Sequence, residues 1–217
     1  MSLTRDEIAS IRQSIFNRCF FDRNDDFESH GSNLPHRQQQ QKVLFITFRL
    51  ADSLPAARLE ELKLMKLQFE ANHPRPWGGD ILTLYYNTFG FTIDKWLANG
   101  HGCCVLRNPE VRKVLQDTIE YNDGYRYSIH SYVIMPNHVH LLFSPFEDID
   151  KILHSIKRHS AIEINRLTGR HGQLWQKESF DHLVRSEEYF QKYRLYIKDN
   201  PKYLRPDEYT YVDKVES

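Results

Sequence analysis

Long apolar runs are missing from this chain. No stretch of its 217 residues approaches the roughly 20 consecutive apolar residues that span a bilayer, and the opening MSLTRDEIAS carries no apolar signal-peptide core. Cysteine is scarce as well: Cys19 and the adjacent Cys103 and Cys104 form neither a CxxC zinc spacing nor an even disulfide set. That scarcity favours a reducing compartment and inert thiols, so the expectation is a soluble, cytoplasmic protein. Charge of one sign is also lacking. The 29 basic and 29 acidic residues cancel, so a polyanionic partner has to be met by a local patch. There is no internal repeat, and the length suits one domain, with or without an arm, whose core needs no metal or disulfide staple.

What is present is hydrophobic pattern. TRDEIASIRQSIF opens with a Thr4/Glu7 capping box and repeats Ile8, Ile11 and Ile15 at helical spacing, while residues 18–41 are polar and end in a glutamine run. Residues 1–33 therefore read as a helix and polar linker arm, and 34–217 as the main domain. KVLFITFRL (42–50) predicts a strand, and PAARLEELKLMKLQFEAN predicts a helix with Leu59, Leu62, Met65 and Phe69 on one face. After a stretch that reads as irregular, Asn108 and Pro109 cap EVRKVLQDTIEY, and RYSIHSYVIM with HVHLLF reads as a strand pair broken at Pro136 and Asn137. DIDKILHSIKRHSAIEINRLTG predicts a helix with Ile149, Ile152, Leu153, Ile156, Ile164 and Leu167 apolar and Gly169 as its stop. A last helix runs from Ser186 to about Asp199. Strands and helices mix without strict βαβ alternation, which predicts an α+β domain with a largely antiparallel sheet.

Two features carry chemistry. In YVIMPNHVHLLF, side chains alternate, so His138 and His140 share one face and Val139, Leu141 and Phe143 the other. Imidazoles two residues apart on one face can converge on a single cation, and they can equally be a hydrogen-bonded pair without a ligand. A histidine-triad nucleotide hydrolase would need a third histidine where Leu142 stands. In SEEYFQKYRLYIKDNP, Tyr189, Tyr193, Tyr196 and Asn200 follow helical spacing and form one stripe, which on its own is ordinary packing as readily as function. Asn200, one turn beyond Tyr196, could place a carboxamide oxygen near the tyrosine's target, whereas Tyr193 has Ile197 at that offset.

The segment MPNHVHLL, then SIKRHSAIEINR, GQLWQKESFDHLVR and YIKDNP, taken in that order, resembles the REP-associated tyrosine transposases of the single-tyrosine HUH transposase-like superfamily. The likeness spans roughly residues 34 to 204 and includes LPHRQQQQKVLFITFRLADSLP and WLANGHGCCVLRNPEVRKVL. It implies a ferredoxin-like (RRM-like) antiparallel sheet with helices packed on it and the two histidines on a central strand. It implies His138, His140 and Asn200 as ligands of Mg²⁺ or Mn²⁺, and Tyr196 as nucleophile. The implied activity is that of a single-stranded DNA endonuclease and strand transferase acting near hairpins, with a covalent 5′-phosphotyrosine and a free 3′-hydroxyl. Such a protein would be cytoplasmic and nucleoid-associated when bound to DNA, as a monomer or homodimer. A domesticated relative that binds structured single strands without cutting them, and a metal phosphoesterase using water, are the alternatives.

The most basic segment is 151–177. Lys157, Arg158, Arg166 and Arg170 there are candidate DNA contacts, or simply a solvated helix face, and Trp175 is a candidate base-stacking surface or a core residue. HPRPWGGDILTLYYNTFGFTIDKW is assigned no site.

Overall fold

The computed structural model describes residues 20, 28–30, 36–38 and 42–215. The helix expected at residues 4–16 lies outside them. The linker reading of 18–41 needs correction: β1 (Glu28–His30) and β2 (His36–Gln38) pair antiparallel, across the boundary expected between residues 33 and 34. Pairing satisfies backbone donors and acceptors, which polar residues permit as well as apolar ones.

The main sheet has five strands, β3 (Leu44–Arg49), β4 (Tyr127–Ile134), β5 (His138–Pro145), β6 (Phe180–Leu183) and β7 (Thr210–Asp213). Their order is β6-β3-β5-β4-β7, antiparallel throughout. Set aside β7, an added edge, and the four remaining strands run 4-1-3-2 in chain order with helices in the first and third connections. That is the ferredoxin-like split βαβ arrangement, and β5 is the middle strand of the five. Among the described residues no helix is long and apolar enough to cross a membrane.

Among the described residues five helices surround the sheet: α1 (Ala56–Asn72), α2 (Gly79–Leu97), α3 (Pro109–Glu120), α4 (Ile149–Thr168) and α5 (Glu187–Asp199). Local chemistry sets several ends. The Asn108 side chain accepts from Glu110 N with Pro109 in the first turn, and Asp148 accepts from Lys151 N at 3.0 Å. Gly169 stops α4 at φ 64°, a left-handed conformation that costs glycine little. Ser186 caps α5.

α3 and α4 cover one face of the sheet, burying Val111, Leu115, Ile119, Ile149, Ile152, Ile156 and Ile164 against Ile46, Phe48, Tyr132, Val139, Leu141 and Phe143. Leu167 does not join them; it sits at the outer turn of α4 and is 48% exposed. A bulge at His130 shifts β4 by one residue, so Tyr127 and Ile129 before it and Tyr132 and Ile134 after it all face this core. α5 covers the opposite face, where Phe190 and Ile197 pack on Phe45, Val133 and Leu142.

The stretch read as irregular contains the 19-residue helix α2. Flanking prolines and glycines and the β-branched and aromatic content hid it, yet Tyr85, Phe89, Ile93 and Trp96 recur at helical spacing and pack on Leu62 and Phe69 of α1 and on Phe180.

Candidate active site

The site begins with the alternation of β5. Val139, Leu141 and Phe143 are fully buried on the α3/α4 side. Each contributes about 1.5–3 kcal/mol by leaving water. A one-residue slip would turn all three outward, so the register that aims His138 and His140 the other way is strongly held. In that register His138 faces Arg49 and His140 faces Thr47 on β3. All four side chains are buried.

The imidazoles meet tip to tip, with His138 Nε2 at 3.1 Å from His140 Nε2. Their other nitrogens are occupied. Asn137 donates through Nδ2 to the carbonyls of Leu97 and His101, both at 3.2 Å, which leaves its Oδ1 to accept from His138 Nδ1 at 2.7 Å. That fixes the proton of His138 on Nδ1 and leaves Nε2 as a bare lone pair. His140 Nδ1 lies 2.8 Å from Thr47 Oγ1, a hydroxyl able to donate or accept, so His140 can present a bare Nε2 as well. Burial pushes His138 down to about 3 and, together with its neighbour, His140 well below its ordinary value, so both stay neutral.

α5 brings the third group. Asn200, the residue ending that helix, places its Nδ2 at 3.2 Å from His140 Nε2. The two ends of a carboxamide fill the same space, so Oδ1 reaches this point by a half-turn. Two ligands held about 2.1 Å from one ion stand about 3.0–3.4 Å apart, the spacing that His140 shows to His138 and to Asn200. Among the described residues no group of three or more His, Cys, Asp or Glu side chains could hold a metal. The candidate set is instead two imidazoles and a carboxamide.

The tyrosine stripe divides into three roles. Tyr189 is 47% exposed. Tyr193 lies flat on Phe45, with ring centroids 4.4 Å apart, and burial pushes its phenol up to about 12. Tyr196 keeps partial exposure and stands edge-on to Phe45 and to His140, 5.3 Å from the latter's ring centre. Its hydroxyl donates to Asp94 Oδ2 at 2.8 Å. Burial, then the neighbouring Asp94, raises its pKa well above the ordinary phenol value.

Asp94 and Arg49 are residues that sequence reasoning missed. Asp94 sits on α2, where the helical spacing of Tyr85, Phe89 and Ile93 was the available signal. Burial pushes its carboxyl up to about 7, partly offset by the Tyr196 hydrogen bond. Arg49 is 4% exposed and donates to Ser53 Oγ at 3.1 Å, while its Nε finds no acceptor among the described residues. Burial lowers it to about 10 against the pull of Glu178, so it stays charged at neutral pH. It is a fixed positive charge beside His138.

The basic segment is only partly assembled. Lys151, His154, Arg158 and Lys177 line one open groove. Lys157 reaches that groove but spends its ammonium on Gln176 O, Lys177 O and Ser179 Oγ, tying the approach to β6 onto α4. Arg166 pairs with Glu163 on the same helix, and Arg170 lies just past its end; neither lines the groove. Trp175 is 5% exposed, meets Phe48 edge-on and donates its indole N–H to Ser160. Of its two readings the core one describes its position, and the ring has no free face for a base.

Residues 105–200 match the transposase family described as IS200-like. The match covers His138, His140, Tyr196 and Asn200, and leaves out β3, α1 and α2. No curated protein matches the chain. Among solved structures, a REP-associated tyrosine transposase bound to a REP hairpin is similar at 14% identity and TM-score 0.39, covering 80% of this chain and 74% of that one. A proposed transposase from Deinococcus radiodurans R1 is similar at 15% identity and TM-score 0.33, covering 79% of this chain and 96% of that one.

Proposed function

We propose, from the match of residues 105–200 to the IS200-like transposase family, that the chain cuts and rejoins single-stranded DNA near hairpins through a covalent tyrosine intermediate. The observation that carries this reading is the meeting of the His138 and His140 Nε2 atoms, with the carboxamide of Asn200 at the end of α5 against His140 and the Tyr196 ring of the same helix edge-on to that imidazole. Two neutral imidazoles with facing nitrogens, one locked by Asn137 as a lone-pair donor, fit a divalent cation such as Mg²⁺ or Mn²⁺. His138, His140 and Asn200 would hold it. Such an ion supplies charge neutralisation at a phosphodiester.

The chain's own residues supply the rest. Tyr196 is the nucleophile: its Oη bonds to phosphorus, the P–O3′ bond breaks, and the DNA leaves as a 3′-hydroxyl while the 5′-phosphate stays on the tyrosine. Phosphotyrosine conserves the phosphodiester energy, so a 3′-hydroxyl can reverse the step and join strands without ATP. Arg49 adds a permanent positive charge beside the histidine pair. The exposed Arg158, Lys151 and Lys177 offer backbone contacts to DNA along the groove by α4.

Incubation with a hairpin-bearing single strand and Mn²⁺ is expected to give a protein–DNA adduct stable in SDS. Tyr196→Phe is expected to give none; an adduct in that variant would refute the assignment. Tight hairpin binding with no adduct under either Mg²⁺ or Mn²⁺ would show instead a binding module of the same fold.

A further inference from the structure

Helix α2 lies outside the segment that the family match covers, yet it forms a wall of the site. Its last-turn carbonyl at Leu97 accepts from Asn137, the residue that sets the tautomer of His138. It approaches β6 so closely that a Cβ on Gly90 would come within 3.1 Å of His182 Nε2. One turn after Gly90 stands Asp94, whose Oδ2 accepts the Tyr196 hydroxyl at 2.8 Å. Among the described residues no lysine or arginine forms an ion pair with it. An unpaired carboxylate in such surroundings is costly, and nothing in the packing of α1 on α2 requires one.

We propose that Asp94 is the proton acceptor of Tyr196, a catalytic base supplied by this helix; the proposal rests on the phosphotyrosine reading given above. As Tyr196 Oη bonds to phosphorus, its proton passes to Asp94 Oδ2. The electron pair of the broken P–O3′ bond leaves on O3′, which takes a proton from solvent, and Asp94 gives its own up to solvent or keeps it. In the rejoining direction, O3′ loses its proton to solvent as it attacks phosphorus, and protonated Asp94 returns one to Tyr196 as the Oη–P bond breaks. Protons and charge balance in both directions. A phenol, with an ordinary pKa of about 10, is protonated at neutral pH, so a base already in hydrogen-bond contact with its proton is what makes it nucleophilic. A carboxyl poised at about 7 both accepts and returns a proton at working pH. The other titratable groups around Asp94 are Tyr193 beside Tyr196 on α5, His182 of β6 packed at Gly90, Arg185 just beyond β6, and His140 across the Tyr196 ring. His182 and His140 are held neutral by burial.

The test compares wild type, Asp94→Asn, Asp94→Glu and Tyr196→Phe on the same hairpin strand with Mn²⁺. Wild-type adduct formation is expected to rise with pH up to about 7 and then level. Asp94→Asn is expected to bind the hairpin as wild type does, to react about 10²-fold or more slowly, and to lose that limb of the profile. Asp94→Glu should recover part of the rate. A wild-type rate or an unchanged pH limb in Asp94→Asn would overturn the proposal, and a faster rate would make Asp94 a latch instead. Carboxyl-carbon NMR on the wild-type protein provides a readout independent of folding in the variants. Asp94 should titrate near neutrality and move higher still in Tyr196→Phe, which lacks the hydrogen bond favouring the charged form; an ordinary carboxylate value would overturn the proposal. An adduct in Tyr196→Phe is a different failure, that of the phosphotyrosine reading itself.

Discussion

The two faces of the central sheet are built on opposite principles. Toward α3 and α4, β5 presents Val139, Leu141 and Phe143, fully buried against apolar partners. Toward α2 and α5 the same strand presents His138 and His140, with Thr47 and Arg49 across from them on β3, all buried. One face lowers free energy by burial alone. The other carries lone pairs, a fixed charge and a carboxyl out of water, and holds them with hydrogen bonds from Asn137 and Thr47. The period of two in a strand lets one segment do both, because stability at positions 139, 141 and 143 fixes the aim of 138 and 140.

The sharpest way to break that division is to damage one face and read the other. Phe143→Ala removes a fully buried ring from the α3/α4 side and is expected to cost about 3–5 kcal/mol of unfolding free energy in a denaturant titration. The surviving folded protein should still show the same histidine environment by NMR. A loss below about 1 kcal/mol would mean that this face does not set the register.

Next in size are the residues that orient the imidazoles without forming the pair. Asn137→Ala and Thr47→Val each remove the partner of one Nδ1. Each should weaken Mn²⁺ binding by about 10- to 100-fold, measured by calorimetry. Asn137→Ala should be the worse, since it also frees the carbonyls of Leu97 and His101 at the end of α2. Equal binding in wild type and both variants would remove the cation from the reading of this face.

How far the site could be read in advance follows from the same contrast. Regular alternation made the faces of β5 predictable from HVHLLF, and capping residues marked α3, α4 and α5. Asp94 was out of reach because its meaning lies in a contact with Tyr196, 102 residues away, and because aromatic and β-branched residues around Gly90 disguised the helix that carries it. Arg49 escaped notice since a basic residue ending an apolar strand looks like a surface terminus; only pairing with β5 places it beside His138. Trp175 and Lys157 show the converse. Composition offered Lys157 as a DNA contact or part of a solvated helix face and Trp175 as a stacking surface or a core residue, while the ammonium clamp on residues 176–179 and the indole bond to Ser160 give them structural tasks.

The buried titratable groups on the site face also set the acid response. His130 and His182 are pushed down to about 4 and His138 to about 3 by burial, with His140 lowered too. Below about 6.5 the unfolded chain binds protons that these folded imidazoles refuse, so they withdraw stability as pH falls from about 6.5 toward about 4. Asp94 works the other way. Its folded carboxyl holds a proton up to about 7, so it adds stability as pH falls from about 7 toward about 4. Four groups against one decide the sign: the thermal midpoint should fall between pH 7 and pH 4.5. Asp94→Asn removes the opposing contribution, so its midpoint should fall more steeply and should exceed the wild-type value most at pH 7 and above. A midpoint that holds level or rises on acidification would mean that the histidines of this face are not buried as neutral groups.

The smallest effects should come from the phenols that share a stripe with Tyr196 without sharing its surroundings. Tyr189 points outward at 47% exposure, and the contribution of Tyr193 to the site is its ring, laid on Phe45, which in turn stacks on His140. Losing either hydroxyl leaves these contacts intact, so Tyr189→Phe and Tyr193→Phe should form adduct within about twofold of wild type. Tyr193→Ala should fall further, since removing the ring frees Phe45 and with it the packing beneath both His140 and Tyr196. Equal spacing along one helix thus gives three tyrosines the same direction, and what stands opposite each one assigns its work: solvent at 189, an aromatic ring at 193, a carboxylate and an imidazole at 196. If Tyr193→Phe instead matched the loss expected of Tyr196→Phe, the stripe would hold its nucleophile one turn earlier, and Asp94 would face the wrong phenol.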